Sequence, residues 1–148
     1  MAPDERRDLA AMVVALGRAL TAAEQPVLRA HGVSMWAYIV LTALAERPRR
    51  TQAALARDIG ADKTRIIGVL DDLQGRGLIE RRPDPADRRV HVLSLTAAGR
   101  RTQRVVQSAI RAREERLLAR LTGADRRGFL HALGVLSALP PEEIAEEP

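Results

Sequence analysis

The stretch Thr51-QAALARDIGADKTRIIGVLDDLQGRGLIERRPDPADRRVHVLSL-Thr96 decides the fold of this 148-residue chain. It holds two short helical patterns separated by Gly60, a break at Gly77, and two strand-like runs flanking the turn PDPADRR. The excess positive charge lies in the same region. From Arg47 to Arg104 there are 14 Lys/Arg against 7 Asp/Glu; the remainder carries 10 against 12, and the whole chain is +5. Positive charge gathered on a helix-turn-helix and hairpin reads most simply as a surface for a polyanionic duplex.

Within the stretch, Thr51 is an N-cap candidate for a helix over Gln52–Asp58, which Gly60 stops. Asp62 caps the next helix, running to about Arg76 and ended by Gly77. With Ile66 at the centre of its buried face, Val69, Leu70 and Leu73 fall on the same side. Ala61, Thr64, Gly68, Asp71 and Gly75 lie opposite, with Arg65 and Asp72 flanking. Leu78–Arg82 and Val90–Leu95 are strand candidates joined by Pro83, Asp84, Pro85 and Asp87 as turn residues.

Working outward, Asp4 to about Ala30 predicts a long first helix, with Leu9, Met12, Val13, Leu16, Leu20 and Val27 in one apolar stripe and Pro26 as a kink. Ser34 caps a second helix, Met35 to Glu46, apolar almost all round. Thr96 caps a fifth helix to about Leu121, with Val105, Ala109, Ala112 and Leu117 as a sparse apolar line. Thr122, with Asp125 three residues on, opens a sixth to Leu139. Pro140 and Pro141 end it, leaving residues 141–148 as a frayed acidic tail. The fold class is therefore mainly α with a small β-hairpin: a winged helix-turn-helix over 34–96, flanked by helices at 4–30 and 97–140 whose apolar stripes call for partners, most simply a second copy of the chain.

Composition bounds the function. The chain is one domain long, and with one Trp, one Tyr and one Phe its core is aliphatic. Of the 24 basic residues only Lys63 is not Arg. The absence of Cys excludes disulfides and Cys-ligated zinc. No apolar run approaches a membrane span and the N-terminus lacks the shape of a signal peptide, so the expected location is the cytoplasm. His31, His91 and His131 are scattered over three elements, with no HExxH, Gly-rich phosphate loop or Ser/His/Asp spacing. No catalytic residue, metal site or cofactor is assigned.

The run TQAALARDIGADKTRIIGVLDDLQGRGLIERR followed by DPADRRVHVLSLTAAG resembles the winged helix-turn-helix regulators of the multiple-antibiotic-resistance (MarR) family, and the resemblance covers nearly the whole chain. It implies a homodimer on double-stranded DNA at a pseudo-palindromic operator. The recognition helix would enter the major groove and the wing the minor groove. It also implies a repressor released by a small aromatic or phenolic effector.

Carried over residue by residue, it makes Lys63 and Thr64 phosphate contacts at a helix N-terminus. Arg65 becomes the base reader, Thr51 and Gln52 duplex contacts, Arg88 a phosphate contact, and Arg89 the residue inserted into the minor groove. Asp87 would orient the wing through Arg81 or Arg82, and the acids Asp71 and Asp72 would pair with Arg. The effector pocket would draw on Met12, Leu16, His31, Trp36, Tyr38 and Val40, although Trp36 also suits the core and Tyr38 a packing position. The departure is Gly68, where many relatives carry a base-reading Arg. It leaves open a second class: an architectural DNA binder, or a winged-helix protein-interaction module, that does not read sequence.

Overall fold

The structure, a computed structural model, describes residues 7–49 and 51–145. In chain order the elements are α1 Leu9–Ala30, α2 Met35–Glu46, α3 Gln52–Ile59, α4 Lys63–Gly75, β1 Ile79–Pro83, β2 His91–Leu95, α5 Ala97–Leu118, α6 Gly123–Ser137 and α7 Pro141–Ala145. They divide into two compact units, one ending at Ile110 and one starting at Arg111.

The caps follow from local chemistry. Ser34 Oγ accepts from the Ala37 N–H at 3.1 Å, Thr51 Oγ1 from Ala54 at 2.9 Å, and Asp62 Oδ1 from Thr64 at 2.9 Å. Thr122 Oγ1 accepts from the Asp125 N–H at 3.2 Å and donates back to its carboxylate at 2.7 Å. Each such bond satisfies a backbone donor that the helix leaves orphaned and is worth about 1 kcal/mol. Gly60 ends α3 at φ 66°, and Gly77 follows α4 at φ 69°, both in the left-handed region. After α4, Leu78 N–H reaches the Leu73 carbonyl at 2.9 Å and Gly77 N–H reaches that of Gln74 at 2.9 Å. This is a Schellman closure, sealed by the burial of Leu73 and Leu78 together.

The core of the first unit is aliphatic, as the composition requires. Val40, Leu41, Leu55, Leu70, Leu73, Leu93 and Val106 are all fully buried in it. β1 and β2 pair antiparallel in the register Ile79↔Leu95 to Pro83↔His91. A two-stranded ribbon is marginal alone, and here a third segment supports it. Arg49 exchanges two backbone hydrogen bonds with Leu93, at 3.0 and 2.7 Å. The Arg49 side chain is itself 7% exposed. Its Nε donates to Asp58 at 2.7 Å, and its Nη1 donates to the carbonyls of Ala43 at 3.1 Å and Arg47 at 2.6 Å. Arg49 is thus a strut joining α2, α3 and β2.

Thr96 and Gly99 join the hairpin to α5. The Thr96 hydroxyl donates to the Gly77 carbonyl at 2.6 Å and accepts from the Gly99 N–H at 3.0 Å. A Cβ placed on Gly99 would stand 1.8 Å from the Leu78 carbonyl oxygen, so only glycine permits this approach. That anchor sets the rotation of α5. Its buried line is Gly99, Gln103, Val106 and Ile110, with Ala109 partly covered beside it, while Val105 and Leu117 of the apolar line stay exposed at 53% and 39%.

Other boundaries shift modestly. The expected start of α1 at Asp4–Arg6 lies outside the described residues, and Arg7 and Asp8 precede the helix. Pro26 stands inside an unbroken α1 because Val27 and Leu28 are both buried and hold its last turn in place. β1 begins at Ile79, since Leu78 N–H is committed to closing α4, and β2 begins at His91. The helix α5 stops at Leu118 and α6 at Ser137. Pro141, expected to begin a frayed tail, instead starts α7, as its fixed φ and the first-turn acids Glu142 and Glu143 allow. In the second unit no described residue is buried. No single helix among the described residues is long and apolar enough to cross a membrane.

Gly99→Ala is expected to destabilise the chain by about 1–3 kcal/mol in a denaturant titration, through the forced shift against Leu78. Arg49→Ala is expected to lower stability by about 2–3 kcal/mol, because it removes the short bond to Asp58 and leaves the carbonyls of Ala43 and Arg47 without this donor. An unchanged unfolding midpoint for Arg49→Ala would remove the strut from this account.

Candidate nucleic-acid interface

The recognition-helix candidate is α4, the second helix of the helix-turn-helix α3–α4. Its first turn carries Lys63, Thr64 and Arg65 behind the Asp62 cap. Two basic side chains at the positive end of a helix oppose its dipole, a mismatch that disappears when an anion binds there. Lys63, Thr64 and Arg65 are all exposed. The Arg65 guanidinium carbon lies 5.7 Å from the centre of the Trp36 ring, within cation–π range. The contact draws Arg65 toward α2, a placement not visible in the local sequence.

On the other side of the helix-turn-helix, Arg81 of β1 makes the connections. Its Nη2 donates to Asp71 of α4 at 3.1 Å. In the amide orientation that satisfies both groups, the Gln52 side-chain oxygen accepts from Arg81 at 3.2 and 3.3 Å. One guanidinium therefore joins α3, α4 and the hairpin. Asp71 is paired with Arg81, and Asp72 with Arg76 at 3.5 Å, which neutralises the two acids on or beside the outer face of α4. Thr51, Gln52, Arg81, Arg89, Val90, His91 and Leu93 line an open cleft of about 340 Å³ between the start of α3 and the wing. It brings Thr51, Gln52 and Arg89 together.

The wing tip is built from its own acids. Asp84 Oδ1 accepts from the Ala86 N–H at 2.9 Å, and the Asp84 N–H returns to the Val90 carbonyl at 2.7 Å. Asp87 Oδ1 accepts from the Arg89 N–H at 3.1 Å and from Arg89 Nε at 3.3 Å. The expected partners of Asp87 were Arg81 and Arg82, but Arg81 is held by Asp71 and Arg82 by Glu80 at 3.0 Å. Asp87 instead grips the residue two positions on, a shorter loop that costs less order. The Arg89 side chain remains 94% exposed, and Arg88 beside it is exposed as well.

The residues named for an effector pocket occupy different environments. Val40 is fully buried in the core, Met12, Trp36 and Tyr38 are half-buried, and Leu16 and His31 are exposed. His31 directs Nδ1 at the Val27 carbonyl, 2.8 Å away, and so closes the end of α1. Tyr38 lines a separate shallow cleft of about 290 Å³ with Ile39, Thr42, Ala43, Glu46, Arg49, Asp58 and Ile59. Sequence reasoning did not single out Arg81 as the link between α3, α4 and the wing.

Residues 31–90 match the model of the MarR family. The putative transcriptional regulatory protein for the hcr operon of Thauera aromatica is 32% identical over 96 residues, 65% of this chain and 58% of that protein. Transcriptional regulator HosA of Escherichia coli O111:H- is 32% identical over 96 residues, 63% of this chain and 69% of HosA. The chain thus spans less than two thirds of the Thauera protein and slightly more than two thirds of HosA. Among solved structures, the fold is similar to the Mycobacterium tuberculosis MarR family protein Rv2887 in complex with DNA, at 26% identity and TM-score 0.76 over 90% of this chain and 100% of that one. The same protein in complex with p-aminosalicylic acid gives 26% identity and TM-score 0.77, over 89% and 100%. CouR from Rhodococcus jostii RHA1, bound to p-coumaroyl-CoA, gives 25% identity and TM-score 0.73 over 90% and 94%. Matched in sequence across its helix-turn-helix and in structure across nearly its whole described length, this chain belongs to the MarR family, whose relatives here are transcriptional regulators.

Proposed function

We propose that this chain is a sequence-specific DNA-binding regulator that acts in the cytoplasm as a homodimer on a pseudo-palindromic operator. The observation that carries this is the wing tip: an almost fully exposed Arg89, fixed at its backbone by Asp87, beside the cleft that also holds Thr51 and Gln52. A fixed, solvated guanidinium at a turn tip suits a narrow minor groove, where negative potential is focused. Lys63 and Thr64, at the N-terminus of α4, suit phosphates flanking the major groove. Arg65 adds positive charge beside them, steadied by Trp36.

Dimerisation is supported by the apolar side chains the fold leaves uncovered. In α1, Leu9, Val13 and Val14 are each about half exposed; in α6, so are Leu130, Leu133, Val135 and Leu136. A solvated helix with no buried residue has little to hold it, and a second copy of the chain supplies the missing contact. Repression released by a small aromatic or phenolic effector is supported by the ligands of the similar structures, which include p-aminosalicylic acid and p-coumaroyl-CoA. Met12, Leu16, His31, Trp36, Tyr38 and Val40 are the residues proposed to shape its environment.

The test is a titration on the DNA upstream of the chain's own gene against scrambled DNA, at two salt concentrations. The expected result is a preference of about 10³ or more for the specific duplex, reduced by Arg89→Ala with the oligomeric state unchanged. Equal affinity for both duplexes would instead favour an architectural binder. Sedimentation should give a species of twice 16.2 kDa, and Leu133→Glu combined with Leu136→Glu should shift it toward monomer. A wild-type monomer at micromolar concentration would overturn the dimer.

A further inference from the structure

Between Val33 and Thr96 the described residues leave only one large apolar side chain strongly exposed: Ile67, at 48%. Every other exposed large apolar residue lies in α1 or from Val105 onward, where the proposed dimer has a use for it. Ile67 lies in the middle of α4, four residues from Lys63 and three from Thr64, so it shares their edge of the helix. Four residues further on is Asp71, which Arg81 ties to the hairpin. Arg65 lies toward the opposite edge, over Trp36. Next to Ile67 stands Gly68, and a Cβ built on Gly68 would meet nothing within 4 Å.

A β-branched residue and a glycine in succession lower helix propensity, glycine alone by about 1 kcal/mol relative to alanine; Gly68 has no packing to offset this and Ile67 leaves about half of its surface uncovered. Their joint effect is outside the molecule. The missing side chain at Gly68 lets the backbone of α4 approach another surface closely, and Ile67 then presents a branched apolar tip to it. On the major-groove edges of B-DNA the apolar feature is the thymine 5-methyl group.

Resting on the regulator proposed above, we infer that Ile67 is a specificity-determining residue that reads a thymine methyl in each half-site, with Gly68 providing the clearance. Sequence is then read on this edge of α4 by apolar contact and shape, without a bidentate arginine.

The test uses the full chain and a duplex enriched by it from a randomised double-stranded library. Each thymine of that duplex is replaced in turn by deoxyuridine, which removes the methyl alone. The expected result is one thymine per half-site whose replacement weakens binding about four-fold, the worth of one buried apolar carbon. Ile67→Ala should bind the thymine and deoxyuridine duplexes equally, while its circular dichroism stays that of the wild type because the residue is exposed. Gly68→Ala should raise thermal stability yet weaken binding to the enriched duplex. An enriched duplex indifferent to every replacement would overturn the inference, as would a methyl dependence that survives in Ile67→Ala. Failure to enrich any sequence would overturn the regulator reading itself, and this inference with it.

Discussion

The junction at Arg49 holds the helix-turn-helix and the hairpin together. Its backbone gives the two-stranded hairpin a third partner at Leu93, the most deeply buried residue of β2. Its guanidinium bonds the carbonyls of Ala43 and Arg47 at the end of α2, and the Asp58 carboxylate of α3. A cation this deeply buried is costly unless its donors are met. Here the partners come from both helices on either side of it, so satisfying the charge also sets the distance between them. The wing is therefore attached at both ends of its sheet: through Arg49 on the side of α3, and through Thr96 and Gly99 on the side of α5.

This arrangement gives the acidic residues of a basic region a clear role. Asp58, Asp71, Asp72, Glu80 and Asp87 each face an arginine within 4 Å. The pairs of Asp71, Asp72, Glu80 and Asp87 lie at the surface and add little stability, of the order of 0–1 kcal/mol each, whereas Asp58 meets the buried Arg49. Their effect is to choose which cations are spent within the fold. Arg49 and Arg81 are tied down between elements, Arg89 is aimed outward with its backbone fixed, and Arg88 projects beside it.

What could be read in the sequence was what chemistry settles within a few residues. Ser34, Thr51, Asp62, Thr96 and Thr122 were recognisable as caps because each bonds to a backbone group two or three positions on. Gly60 and Gly77 were recognisable as stops because positive φ is a local demand. The buried face of α4 followed from helical periodicity around Ile66. The missed features depend on contacts distant in sequence. The face of α5 turned to the core is decided by Gly99 meeting Leu78, which lies in another element. The strut at Arg49 has no local signature because its backbone partner, Leu93, lies 44 positions away. The partner of Asp87 was misread because Arg81 and Arg82 were already held by Asp71 and Glu80, a competition visible only once the strands are paired.

The aromatic poverty of the chain has an optical consequence. Trp36 is its only tryptophan, and that ring lies under the guanidinium of Arg65. The indole emission of the protein therefore comes from a single chromophore placed where α2 meets α4. Any change that draws Arg65 away from the ring acts on the same emitter. The protein carries its own reporter of that helix, with no label added.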